Sequence, residues 1–174
     1  MRLFGREAED GPGAGTRYRL RQRMFTIGDD YWIEDGNGHR AFKVDGKVFR
    51  VRRTLELQDA DGEELLKVQE RKLTVRDTMV IERHGDRVAT VRKALVGFRD
   101  RYSIDIPDGD DLDAKGNIVD HEYQVRRDGL DIASISKRWF AFRDTYGVQI
   151  APGEDVPLLL AVAVCIDAMS HPDV

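Results

Sequence analysis

The sequence predicts a mainly β protein, a closed antiparallel barrel of about twelve strands around a central apolar C-terminal α-helix. Three observations predict it: short β-type segments broken by tight-turn signals, an internal repeat, and a final segment that is apolar on every side. At 174 residues the chain is long enough for one domain with a substantial core.

Composition narrows the class. Apolar residues make up 41% and charged residues 34%, which describes a globular domain with a heavily charged surface. The formal net charge is −4, whereas a dedicated nucleic-acid binder draws most of its affinity from phosphate neutralisation and is usually basic. No nucleic-acid partner is therefore expected. Cys165 is the single cysteine, so no intramolecular disulfide can form, which suits a reducing compartment. The segment Met1-Arg2-Leu3-Phe4-Gly5-Arg6-Glu7 becomes charged too early for a secretory signal, and Arg2 stands where myristoylation needs glycine. A cytoplasmic location, peripheral at a membrane if lipid is the partner, is the expectation.

Residues 1–16 read as a flexible lead-in, acidic and Gly-rich from Glu7 to Thr16, and residues 17–170 as a single domain. Strand segments follow at Tyr31-Trp32-Ile33-Glu34, Thr54-Leu55-Glu56-Leu57, Met79-Val80-Ile81 and Val88-Ala89-Thr90-Val91. Between them Asp35-Gly36, Asp61-Gly62, Gly85-Asp86 and Asp128-Gly129 favour tight turns, because Gly, Asp and Asn tolerate positive φ.

The repeat is visible when Lys47-Val48-Phe49-Arg50-Val51-Arg52-Arg53-Thr54-Leu55 is set beside Arg71-Lys72-Leu73-Thr74-Val75-Arg76-Asp77-Thr78-Met79. Phe98-Arg99-Asp100-Arg101-Tyr102 and Phe142-Arg143-Asp144-Thr145-Tyr146 are further copies, and Phe25-Thr26-Ile27-Gly28-Asp29-Asp30-Tyr31 is a weaker one. The apolar residue before the motif falls at 27, 51, 75, 98 and 142, so the gaps are 24, 24, 23 and 44. The last gap is close to two periods, as though one copy had decayed around 107–120. Each period holds two strands, and six periods supply about twelve, enough to close a barrel and leave no strand edge exposed.

The C-terminal segment differs in kind. Asp155 is an N-cap candidate and Pro157 lies in the first turn. From Val156 to Ile166 the helix has no polar face, so it must be buried. That run is roughly 17 Å long at about 1.5 Å per residue, and a bilayer core needs about 20 residues. Burying Leu158, Leu159, Leu160, Val162, Val164 and Ile166 is worth roughly 9–18 kcal/mol gross, comparable with a domain's whole net stability of about 5–15 kcal/mol.

The residues also carry a resemblance. Tyr18-Arg19-Leu20-Arg21-Gln22, Gly28-Asp29-Asp30-Tyr31, Phe42-Lys43-Val44-Asp45-Gly46-Lys47, Leu57-Gln58-Asp59 with Gly62-Glu63, and the closing apolar helix resemble the LURP-one-related family. The likeness runs from about Arg17 to Met169, and the Phe-x-Val-Asp-Gly-Lys segment is its most specific part. That family sits in the tubby C-terminal-like group with the phospholipid scramblases. The resemblance implies a twelve-stranded barrel around a central helix. Tubby domains bind phosphoinositide headgroups and scramblases act on membrane lipids. The lipid-contacting basic residues of tubby domains have no matching positions here, and a palmitoylatable cysteine cluster is absent.

The first candidate site is Arg17, Arg19, Arg21 and Arg23, which alternate along one strand and so share one face. Tyr18, Leu20 and Met24 would face inward. Four guanidiniums on one face can bind lipid headgroups or another polyanion, and the plainer reading is a solvated outer wall paired with acidic neighbours. The repeated Arg76-Asp77, Arg99-Asp100 and Arg143-Asp144 pairs read as structural, because one active site does not need a pair in every module. The stretch Asp105-Ile106-Pro107-Asp108-Gly109-Asp110-Asp111-Leu112-Asp113 departs from the EF-hand pattern and reads as a solvated loop; whether it binds calcium is open. His39, His84, His121 and His171 form no metal motif, and Val125 stands where His121-Glu122 would need a second histidine. Cys165 on an apolar helix should be inert. Trp32, Trp139, Tyr31, Tyr102, Tyr146, Phe140 and Phe142 read as barrel packing. With no nucleotide loop, nucleophile elbow or metal set in the sequence, no enzymatic activity and no cofactor are expected. An anionic phospholipid or membrane surface is the expected partner, and a protein-interaction or scaffold domain with no small ligand is the alternative.

Overall fold

The computed structural model describes residues 15–21, 30–47, 54–71, 77–96, 99–117, 122–137 and 145–170. Among the described residues twelve strands precede one helix. They are β1 (Thr16–Arg21), β2 (Tyr31–Asp35), β3 (Arg40–Lys47), β4 (Thr54–Asp59), β5 (Glu64–Arg71) and β6 (Thr78–Arg83). Then come β7 (Asp86–Val96), β8 (Arg99–Asp105), β9 (Leu112–Asn117), β10 (Glu122–Arg127), β11 (Leu130–Ser136) and β12 (Thr145–Ile150), and the helix α1 (Val156–Ser170). Each strand pairs antiparallel with its neighbour in sequence, and β1 pairs with β12 to close the barrel. The ring has no free edge.

The repeat corresponds to one hairpin. Four consecutive-strand bulges fall at equivalent places, after Ile33, Leu57, Ile81 and Val125, where the strand bends toward its turn. The fifth residue of each copy is Tyr31, Leu55, Met79, Tyr102 and Tyr146, all of which belong to or pack on the core. Tyr123 is their counterpart in the β10–β11 hairpin. Its copy reads Val119-Asp120-His121-Glu122-Tyr123, in which the apolar first position and the packing residue are kept. Much of each motif, including 25–29, 48–53, 72–76, 97–98, 118–121 and 138–144, lies outside the described residues.

Turn chemistry follows the sequence, with shifts of detail. Asp35 Oδ1 accepts the N–H groups of Asn37 and His39, both at 2.9 Å. Asp59 Oδ1 accepts those of Asp61 and Glu63 at the same distance, so two hairpins are closed by one device. The β6–β7 turn is made by His84 and Gly85, at φ 51° and 87°, one residue earlier than the Gly85-Asp86 expected. Asp128 and Gly129, at φ 51° and 79°, turn β10 into β11 as expected. Both are two-residue hairpin turns that need positive φ twice.

The helix lies in the lumen. Leu159 to Ile166 and Met169 are buried, and α1 packs closest against β5, β6, β7 and β12. Asp155 Oδ1 accepts the Leu158 N–H at 3.1 Å, and its carbonyl accepts the Leu159 N–H at 3.0 Å, as the N-cap reading required. Arg83 pairs with Asp155 at 2.8 Å and Arg127 with Glu154 at 2.9 Å, tying the β12–α1 connection to the rim of the barrel. Alternate strand residues, such as Leu55 and Leu57, Leu66 and Val68, or Tyr146, Val148 and Ile150, point inward and meet the helix. No described helix is long and apolar enough to cross a membrane.

Candidate functional site

Arg17, Arg19 and Arg21 stand on the outer wall, because Tyr18 and Leu20 take the inward positions of β1 and are buried. Arg23 and Met24 lie outside the described residues. Register sets the arginines' neighbours. Arg17 faces Gln149 of β12 and donates to its Oε1 at 3.2 Å, while Arg19 faces Glu34 of β2 and forms an ion pair with it. Arg21, at the strand end, is exposed. The wall continues into β2 and β3, where the Arg40 guanidinium sits 5.1 Å from the Trp32 ring centroid and Lys43 pairs with Asp30 at 2.7 Å. Trp32 is thus a half-buried outward residue of the barrel wall, beside the inward Ile33. The outer face of β1–β3 carries five cations and one indole.

A second group, inside the barrel, was not anticipated. Lys93 of β7 and Asp100 of β8 occupy inward positions at the mouth where α1 ends, with nitrogen and oxygen 3.7 Å apart. The Lys93 ammonium also donates to the Met169 carbonyl at 3.1 Å. Ser170 donates its hydroxyl proton to the Ile166 carbonyl at 2.7 Å. Having spent its one proton, Ser170 Oγ must accept from Tyr102 at 2.9 Å and from Tyr123 at 3.0 Å. The two rings meet edge to face, 5.9 Å apart. Burial raises both phenol pKa values, so both stay protonated at neutral pH and can donate. Carbonyls at a helix C-terminus have no intrahelical partner. Lys93 satisfies one of them, that of Met169, in the barrel interior.

Gly116 explains how the Tyr123 ring reaches that place. The two face each other across β9 and β10, and a Cβ at 116 would lie 2.1 Å from the ring. The signal for the cluster was present in the alternation. Lys93 follows Ala89 and Val91 on the inward face of β7, and Asp100 precedes Tyr102 and Ile104 on that of β8. A charge in an inward slot breaks the pattern. Arg99-Asp100, read as one structural pair, is split by the pleat: Arg99 is exposed and Asp100 is buried. Arg76, Arg143 and Asp144 lie outside the described residues.

Beside the cluster is a cavity of about 20 Å³ lined by Tyr123, Lys137, Tyr146, Asp167 and Ser170 among others. It has room for one water molecule and no organic ligand. The buried Tyr146 hydroxyl borders it without a hydrogen-bond partner among the described residues.

The remaining candidates separate. In the acidic β8–β9 loop, Asp105 pairs with Arg92, Asp113 accepts from Arg126 at 3.0 Å, and Asp111 caps the Ile106 N–H at 2.8 Å. Among the described residues no three His, Cys, Asp or Glu side chains are grouped to hold a metal ion. His39 lies 3.5 Å from Asp35 in an exposed turn, His84 forms part of the β6–β7 turn, and His121 and His171 lie outside the described residues. Trp139, Phe140 and Phe142 do so as well. Cys165 is buried in α1, and burial pushes its thiol pKa well above the ordinary range.

Comparison with known proteins agrees with this architecture. Residues 16–167 match the family model described as LURP-one-related. Over 106 residues the chain is 28% identical to the uncharacterized protein YxjI of Bacillus subtilis (strain 168), a stretch covering 61% of this chain. The chain spans 64% of the length of that curated relative. An X-ray structure of a protein from Arabidopsis thaliana superimposes with a TM-score of 0.64 at 19% identity, covering 88% of this chain and 91% of that one. At that identity the likeness shows the fold alone.

Proposed function

The chain belongs to the LURP-one-related family, and we propose that its domain is a non-catalytic binding module that meets an anionic ligand, such as a phospholipid headgroup, at a membrane surface. The observation that supports this is the β1–β3 wall. Arg40 sits over Trp32 and Lys43 faces it across β2 and β3, while Arg17, Arg19 and Arg21 continue the basic wall on β1, with the acids Glu34 and Asp30 among them. Basic residues near an anionic bilayer contribute about 1 kcal/mol each, and indoles favour the bilayer interface. The helix occupies the lumen, so the outer surface is where a partner would be met.

Flotation with phosphatidylserine-containing vesicles tests the reading. Binding at low salt should weaken with added salt and fall several-fold in Arg17→Glu/Arg21→Glu. A parent protein that ignores these vesicles, or a charge-reversed protein that binds them equally well, removes the proposal. The second reading, a protein-interaction or scaffold domain with no small ligand, draws on a specific observation too. Arg17 and Arg19 already have partners within the wall, Gln149 and Glu34, as in an ordinary solvated barrel face.

A further inference from the structure

On most of the outer wall the pleat sets charges of opposite sign near one another. Arg92 meets Asp105 and Arg126 meets Asp113 across neighbouring strands. Among the described residues two register positions do the reverse, the acidic Asp45 and Glu56 across β3 and β4 and a basic pair across β8 and β9. Arg101 of β8 and Lys115 of β9 are direct cross-strand partners, both exposed, both cationic. Side chains directly opposite in an antiparallel pair start about 5 Å apart, and like charges there are destabilising.

Their surroundings relieve the repulsion only in part. Asp105 and Asp113 are engaged by Arg92 and Arg126, and Arg101 forms no ion pair among the described residues. The Lys115 ammonium reaches Asp113 only at 4.0 Å. On the other side Arg101 faces Ala94 of β7, and its next outward neighbour on β8 is Ser103. These small residues leave a depression of about 330 Å³ between the long side chains, lined by Ala94, Arg101, Ser103, Asp113 and Lys115.

We propose that this depression on β7–β9 is a binding site for a phosphomonoester group. The Arg101 guanidinium supplies a planar fork of donors, Lys115 a compact second charge, and Ser103 a hydroxyl donor. A dianion seated between the two cations offsets their mutual repulsion. Asp113, held by Arg126 at one margin, sets a limit: it repels an anion that spreads past Lys115. The volume exceeds that of a phosphate alone and admits a small polar body attached to it. In the ring order β8 is five strands from β1, so this site lies on the far side of the barrel from the arginines of β1 and stands independently of the membrane reading.

The experiment titrates sodium phosphate into the ¹⁵N-labelled full chain at constant ionic strength and follows the amide resonances. Saturable shifts centred on Ala94, Arg101 to Ser103 and Asp113 to Lys115 are expected. Loss of one charge-assisted contact should weaken binding by about tenfold or more, so Arg101→Gln and Lys115→Gln should each do so, while Lys115→Arg stays within a few-fold of the parent. Without phosphate, Arg101→Gln should melt at a temperature equal to or higher than the parent's, because it relieves a like-charge pair. Both substituted positions are exposed, and the same spectra report that each variant is folded.

Vesicles of phosphatidic acid set against phosphatidylcholine distinguish the source of the group. Phosphatidic acid binding that Arg101→Gln/Lys115→Gln abolishes and free phosphate competes away identifies a lipid headgroup. Phosphate binding without vesicle binding identifies a soluble phosphomonoester. Arg17→Glu/Arg21→Glu must leave phosphate binding intact, which separates this site's failure from that of the β1–β3 wall. Shifts that are linear in phosphate, scattered over the barrel, or unchanged in Arg101→Gln/Lys115→Gln overturn the proposal.

Discussion

The Lys93 ammonium donates to the Met169 carbonyl at 3.1 Å, and so ties strand β7 to the last turn of the helix inside the barrel. Asp100, with its side chain 6% exposed, supplies the countercharge 3.7 Å away. Removing one member of a buried pair strands the other without compensation, whereas replacing both with apolar groups is often tolerated. Lys93→Met should therefore cost about 3 kcal/mol in urea denaturation. Lys93→Met/Asp100→Leu should recover most of it. A double variant no more stable than the single one would show that the ammonium matters chiefly as a cap on the helix.

Gly116→Ala probes the same cluster from the β9 side. The new methyl would lie 2.1 Å from the Tyr123 ring and 2.5 Å from the Glu122 carbonyl oxygen, and the second of these is backbone that cannot rotate away. Overpacking of this kind costs about 1–3 kcal/mol. The displaced ring should also lose its hydrogen bond to Ser170, seen as a change in near-ultraviolet circular dichroism. A variant with the parent's melting temperature and spectrum contradicts the geometry.

All five tyrosines have phenol pKa values raised above the ordinary value of 10.0, mainly by burial. A group whose pKa is raised on folding favours the native state while protonated. That stability is fully present below about pH 10 and is lost as pH climbs through the native values. Absorbance at 295 nm should show Tyr102, Tyr123 and Tyr146 ionising together with unfolding, above pH 10 and cooperatively. Reversible titration of all five near pH 10 in a folded protein would be inconsistent with their burial.

The Cys165 thiol is buried, with its pKa raised, and so offers almost no thiolate in the native state. Reaction with a disulfide reagent at pH 8 should be slow and limited by opening of the barrel, then rapid in denaturant. Labelling within seconds in native buffer would mean that α1 leaves the lumen readily.

Truncation after Glu154 removes the core helix and should yield insoluble or molten protein. Leu160 is among the largest fully buried side chains, and Leu160→Ala should cost about 2–5 kcal/mol. A folded truncated protein with dispersed amide resonances would end the view that the helix fills the barrel.

Much of this was legible from pattern. The alternation Tyr18, Leu20 against Arg17, Arg19, Arg21 names the inner and outer faces of β1, because a strand's side-chain period is two. Asp155 announced the helix, and the apolar run from Val156 announced where it had to go. The sixth repeat was harder to see. Only Val119 and Tyr123 survive of it, since the apolar positions are constrained while the residues between them are not. The β6–β7 turn shifted by one residue because a two-residue turn places its left-handed pair by register, which His84 tolerates beside Gly85.

By itself the amino-acid order determined the strand count, the closure and the enclosed helix, since hydrophobic periodicity and turn residues are local properties that add up along the chain. Tertiary structure alone decided which charges meet. The contact of Lys93 with Met169, separated by 76 residues, and the opposition of Arg101 to Lys115 depend on strand register and barrel closure. Electrostatic energy falls off with distance in space and is indifferent to separation in sequence, so no window of neighbouring residues carries that information.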